Sequence, residues 1–137
     1  SWFQLADYLA LRLSEDEIRN ISALGLAHIG DAVYELMVRS WLVMSGRATA
    51  KGLHKAAVGY VSAPAQARAA SKLMAQLTDE EQAVFRRGRN TRVNSVPRNA
   101  SLEEYHTSTA FEALFGYLYV KGEIGRINEL FDMIVIE

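Results

Sequence analysis

The 137-residue chain contains no cysteine, which excludes disulfide scaffolds, thiolate catalysis and zinc sites built on thiolates. That leaves the compartment open, and a reducing cytosol, hence a cytoplasmic location, fits. No apolar run approaches the roughly 20 residues that a membrane-spanning helix needs, so a soluble protein with no membrane partner is expected. The N-terminus lacks the basic-then-apolar pattern of a signal peptide, and the missing initiator methionine suggests that a few residues have been trimmed. No stretch reads as a strand and no internal repeat is present, which leaves an all-α fold. The length suits one domain, residues 1–137, around one sizeable core.

Acids are scarce over much of the chain, although the net charge is only −1. From Leu36 to Thr78 no Asp or Glu accompanies Arg39, Arg47, Lys51, Lys55, Arg68 and Lys72. From Gln82 to Leu102 none accompanies Arg86, Arg87, Arg89, Arg92 and Arg98. The acids concentrate near the N-terminus, in Asp79 to Glu81 and at the C-terminus, so the folded chain can present one strongly positive surface to a polyanion.

Helix punctuation is plentiful. Ser14 with Glu17, Thr78 with Glu81 and Ser101 with Glu104 have the form of capping boxes. A helix is expected from after Ser22 to about Met44, ended by Ser45 and Gly46. Others are expected over Thr49–Tyr60, from Ser62 with Pro64 in the first turn, from Thr78 through Arg87 with Gly88 as terminator, over Glu103–Lys121, and over Ile127–Val135 after a break bracketed by Gly122 and Gly125. Residues 1–13, with Trp2, Phe3, Leu5, Tyr8, Leu9 and Leu11 at helix-like spacing, form either a short docked helix or a contact arm. Arg89 to Ala100 carries Asn90, Asn94, Pro97 and Asn99 among its arginines and has no amphipathic period, which marks it as the one long loop.

The organising stretch is LGLAHIGDAVYELMVR, Leu24 to Arg39. Leu26, Ile29, Val33, Leu36 and Met37 fall on one stripe of a helical wheel, the stripe expected to face the core. Asp31 and Glu35 share another face. Gly30 costs a helix interior roughly 1 kcal/mol relative to Ala, so its use is close approach by another backbone or a ligand. A second unusual acid is Glu112, the only ionisable side chain between His106 and Lys121 apart from tyrosines, on a helix otherwise filled by Phe111, Leu114, Phe115, Leu118 and their neighbours, with Gly116 one turn on. An unpaired carboxylate there is costly to desolvate; it is protonated, paired or metal-bound. A lone core Glu reads as a structural hydrogen-bonding group. A pair of carboxylates on apolar helices, each beside a glycine, suits Mg²⁺, which takes hard oxygen ligands from one or two carboxylates plus waters and substrate phosphates.

HIGDAVYEL, followed in the chain by STAFEALFGYLYV at Ser108 to Val120, resembles the two helical motifs of the ribonuclease III catalytic domain. The short length, the absence of an appended double-stranded-RNA-binding domain and the RRGRN run at Arg86 to Asn90 look most like its Mini-III branch. The resemblance covers about Ile21 to the C-terminus. It implies a metal-dependent endoribonuclease that cleaves double-stranded RNA to 5′-phosphate and 3′-hydroxyl ends with a short 3′ overhang. It also implies a homodimer, each subunit cutting one strand, and maturation of the precursor of large-subunit (23S) ribosomal RNA. Asp31 and Glu112 are then the catalytic, metal-binding pair, with Mg²⁺ as cofactor and Mn²⁺ as a substitute. The ion lowers the pKa of a bound water, orients it and stabilises charge on the phosphate.

Two positions depart from the family pattern: Ala27 stands where Glu usually lies four residues before the aspartate, and Thr109 where Asp lies three before the glutamate. A second metal per subunit is therefore in doubt. Thr109 and Glu35 are candidates for supporting the site, Glu35 equally for an ordinary surface charge. His28 reads as packed or solvent-facing rather than as a ligand. Arg86, Arg87, Arg89, Asn90, Arg92 and Arg98 suit phosphate and minor-groove 2′-hydroxyl contact. Lys51 and Lys55, with Arg47, Arg68 and Lys72, extend the track. Tyr117 and Tyr119 are candidates for the dimer interface. Two other classes compete: a catalytically inactive RNA-binding module, with salt-sensitive binding indifferent to Mg²⁺, and a helical dimerisation protein without a nucleic-acid role.

Overall fold

The computed structural model describes residues 6–46, 49–92, 95–96 and 98–136. Trp2, Phe3, Leu5, Arg47, Asn94 and Pro97 lie outside them. Seven helices occur among the described residues, and no strand: α1 Glu15–Arg19, α2 Ala23–Met44, α3 Ala50–Val61, α4 Ala63–Leu73, α5 Asp79–Arg89, α6 Leu102–Lys121 and α7 Ile124–Val135, with a 3₁₀ turn Met74–Gln76 after α4. The all-α expectation agrees. No described helix is long and apolar enough to cross a membrane.

The helix at the centre is α6. It is apolar on every side, a pattern that suits burial all round, and from Ser108 to Val120 every residue except Glu112 is buried. Helices α2, α4 and α5 pack around it, with α7 closing one side. Phe111, Phe115, Leu114, Leu130 and Tyr34 are fully enclosed, and the Tyr34 ring meets Phe111 edge-on at 4.8 Å between centroids. The starts and stops follow the local chemistry: all three capping boxes form, Ser22 caps α2, and Gly122 ends α6 in the left-handed conformation at φ +85°.

Packing corrects three expectations and decides between the two alternatives for the N-terminal arm. Gly88 does not terminate α5, which runs to Arg89; its missing side chain admits α6, since a Cβ there would lie 2.8 Å from the Ala110 Cα. Gly125 lies inside α7, which starts at Ile124. Among the described residues before Leu13 there is no helix; this arm packs on α6, with the Leu13 N–H donating to the Val120 carbonyl at 2.7 Å and the Tyr119 hydroxyl to the Tyr8 carbonyl. Finally, the core face of α2 is Leu26, Ala27, Gly30, Tyr34, Val38 and Leu42. The stripe at Ile29, Val33 and Met37 is only half-buried and Leu36 is 56 % exposed. The helix is turned because the glycine side can approach α6 more closely than a side of branched residues.

Candidate active site

Two glycines set the site. A Cβ on Gly30 would sit 1.7 Å from the Glu112 carbonyl oxygen, and one on Gly116 would sit 1.9 Å from the Leu26 carbonyl oxygen. Helices α2 and α6 therefore cross backbone against backbone, each glycine facing the other helix. Asp31 follows Gly30 directly, and Glu112 supplies the carbonyl that Gly30 meets. The crossing thus makes the carboxyl groups of Asp31 and Glu112 neighbours, close enough for each to act on the other's charge.

Their electrostatics differ. Asp31 is exposed on α2, whereas Glu112 is mostly enclosed. Desolvation, followed by the charge of Asp31 and a hydrogen bond to it, pushes the Glu112 carboxyl up to about 8; a hydrogen bond from Gln66 acts the other way. Two carboxylates this close repel unless a proton or a cation lies between them. The donors are oxygens, which fits a small hard cation. No cluster of three or more His, Cys, Asp or Glu able to hold a metal occurs among the described residues, so one ion would keep its remaining positions for water or phosphate oxygens.

Behind Glu112 stands Gln66 of α4, only 1 % exposed. Its Nε2 donates to Glu112 Oε2 at 3.4 Å, and its Oε1 accepts from the Ser108 hydroxyl. Neither Gln66 nor Ser108 is singled out by the sequence. A polar side chain in the alanine-rich run APAQARAA that opens α4 is the available signal, but its partner lies on another helix. Thr109 does not take the supporting place expected for it: its hydroxyl donates to the Tyr105 carbonyl in its own helix at 3.1 Å. Glu35 pairs with Arg39 at 2.8 Å on the surface of α2. His28 is exposed.

The basic residues divide. Arg86, Arg89 and Asn90 line one cleft with Ser71 and Thr107, next in sequence to Ser108. Arg89 is steadied there, donating to the Thr107 hydroxyl at 3.3 Å and pairing with Glu103 at 3.5 Å. Arg87 projects to another side and lines a groove with Glu15, Glu80 and Lys121. Arg92, Arg98, Lys51, Lys55 and Arg68 are exposed. Lys72 is tied to the Ile134 carbonyl at 3.0 Å. Tyr117 and Tyr119 are buried within the subunit, the former bonded to Glu80 and the latter to the arm, so neither offers a free face for a dimer.

Residues 24–123 match the model of the Ribonuclease III domain. The chain is 47% identical over 107 residues to the Mini-ribonuclease 3 of Symbiobacterium thermophilum, covering 78% of this chain and 82% of that protein. To the Mini-ribonuclease 3 of Clostridium tetani it is 35% identical over 129 residues, covering 93% and 85%. A crystal structure of a protein from Fusobacterium nucleatum superimposes with a TM-score of 0.82 at 29% identity, covering 90% of this chain and 100% of that one.

Proposed function

The chain belongs to the ribonuclease III family, and from that premise we propose that it is a metal-dependent endoribonuclease cleaving double-stranded RNA to 5′-phosphate and 3′-hydroxyl ends. The observation that carries this reading is the Gly30–Gly116 crossing, which makes the Asp31 and Glu112 carboxyls neighbours. An Mg²⁺ ion held by the two, or Mn²⁺ in its place, would supply activation of a water and neutralisation of charge on the scissile phosphate.

The chain's own residues supply the geometry. Asp31, exposed on α2, faces arriving substrate, and Glu112 anchors the pair from the rigid central helix. Arg86, Arg89 and Asn90, sharing one cleft, bind backbone phosphates and 2′-hydroxyls, with the exposed Arg92, Arg98, Lys51 and Lys55 extending the contact. Arg87 contributes at most to the edge of this surface, since it projects into a groove shared with acids. A homodimer acting on both strands is part of the reading. Its support is the incompletely covered stripe Ile29, Val33, Leu36 and Met37, which lines an apolar groove with Ile124, a kind of surface that marks interaction sites. The precursor of large-subunit (23S) ribosomal RNA is the proposed substrate, and the cytoplasm the proposed location.

The test is incubation of the purified protein with a labelled RNA duplex, in Mg²⁺ or in EDTA, beside Asp31→Asn. Cutting by the unaltered chain alone, abolished by EDTA, is the expected result. Duplex binding without cutting would favour an inactive RNA-binding module, a reading to which Ala27 and Thr109, in place of two acids, lend support.

A further inference from the structure

We propose that Gln66 is a positioning residue for the carboxylate pair, its amide held between Ser108 and Glu112 with an N–H facing Glu112. The inference rests on the metal-binding reading of Asp31 and Glu112 and goes beyond it, since neither Gln66 nor Ser108 touches substrate in that reading.

Two bonds hold the amide between α4 and α6. Gln66 is 1 % exposed, so no water competes for its amide. Its Nε2 lies 3.4 Å from Glu112 Oε2, and its Oε1 accepts from Ser108 Oγ. An amide carbonyl cannot donate, so if the group turned over, the carbonyl would face Glu112 and repel its carboxylate. The Glu112 carboxylate, which only accepts, therefore selects the N–H side, and the Ser108 hydroxyl, which can donate or accept, completes the arrangement by donating to Oε1. Ser108 sits one turn before Glu112 on α6, so the bonds close a small ring between α4 and α6.

The chemistry explains why the group is an amide. A lysine at this place would favour ionisation of Glu112 and also cancel the negative charge that attracts a cation. A glutamate would add a third charge without a donor. A neutral N–H stabilises the carboxylate form of Glu112 while leaving the pair's charge intact, and it engages one oxygen only, leaving the other for the ion. Outer partners of this kind orient metal ligands, and their loss typically weakens metal affinity by about 10–100-fold.

The experiment is an Mn²⁺ titration of the intact chain followed by electron paramagnetic resonance, for the unaltered protein, Gln66→Met, Ser108→Ala, Ser108→Thr and Asp31→Asn. Kinetics on an RNA duplex and thermal melting are measured alongside. Gln66→Met, close in size but without a donor, is expected to raise the Mn²⁺ Kd about 10-fold or more. It should lower kcat at fixed metal with the duplex KM unchanged. Ser108→Ala should act in the same direction less strongly, and Ser108→Thr, which keeps the hydroxyl, should restore affinity. Unaltered Mn²⁺ affinity in both Gln66→Met and Ser108→Ala, with Asp31→Asn abolishing it, overturns this inference and leaves the metal site standing. Loss of melting temperature in Gln66→Met without change in Mn²⁺ affinity reduces Gln66 to a packing role and also overturns it. No Mn²⁺ binding by the unaltered chain overturns both readings together.

Discussion

Replacing Glu112 by Gln removes the charge but keeps the shape, and it should stabilise the metal-free protein in a way that depends on pH. The Glu112 carboxyl is pushed up to about 8 in the folded chain from an ordinary value of 4.5. The folded state therefore binds the proton more tightly than the unfolded state, and stability from this group, fully present below about 4.5, is lost as pH rises towards about 8. At about 1.4 kcal/mol for each tenfold change in the proton equilibrium the upper bound is roughly 5 kcal/mol. Glu112 keeps some solvent access, and screening brings the expected loss to about 2 kcal/mol. Urea denaturation in EDTA at pH 5, 6, 7 and 8 measures it. Glu112→Gln should match the unaltered protein at about pH 5 and exceed it by about 2 kcal/mol at pH 8. Adding Mg²⁺ at pH 8 should stabilise the unaltered chain and have much less effect on the variant, by linkage to binding. Parallel pH profiles for the two proteins would refute the view that the pair is a site of uncompensated charge.

Further substitutions probe the scaffold. Gly30→Ala or Gly116→Ala forces a Cβ to within 2 Å of a facing carbonyl oxygen, so a loss above about 3 kcal/mol is expected in denaturant titrations, whereas Gly59→Ala and Gly125→Ala, with open space around the new Cβ, should gain up to about 1 kcal/mol. Tyr34→Phe removes a buried hydroxyl that has no hydrogen-bond partner among the described residues and should raise stability by about 1 kcal/mol; calorimetry showing a loss instead would mean that the hydroxyl is satisfied. Arg126→Met leaves buried Glu81 without its two-pronged partner, both bonds being 2.8 Å, and should cost about 3 kcal/mol. The Arg126 hydrogen bond holds the Glu81 carboxyl below the usual carboxylate range, so this stability is present above that range and is lost as pH falls through it; the variant should show a shallower acid limb in unfolding.

Much of the helix plan was legible because caps act locally. The three Ser/Thr…Glu boxes and Ser22 carry their partners within three residues, and the bounds they predict hold. The glycines were legible as special and only half legible as to role. Gly122 ends a helix through its own φ, whereas Gly88 and Gly125 look the same in sequence and lie inside helices. The two acids stood out because a carboxylate in an apolar helix is anomalous whatever surrounds it. Gln66 and Ser108 did not, because each is unremarkable in its own helix and acquires its role only from the other.

Sequence alone determined what depends on neighbours along the chain: an all-α chain, its helix starts, a cysteine-free composition, acid-poor basic stretches, and motifs resembling one nuclease family. Tertiary structure decided what depends on neighbours in space. It turned α2 so that the Gly30 side, rather than the Leu36 stripe, meets α6, because backbone can approach backbone only where both side chains are absent. It assigned Glu35 to Arg39, Thr109 to its own helix and Tyr117 to the interior. Through the same glycine crossing it set Asp31 against Glu112, a contact between distant parts of the chain whose energy no local pattern encodes.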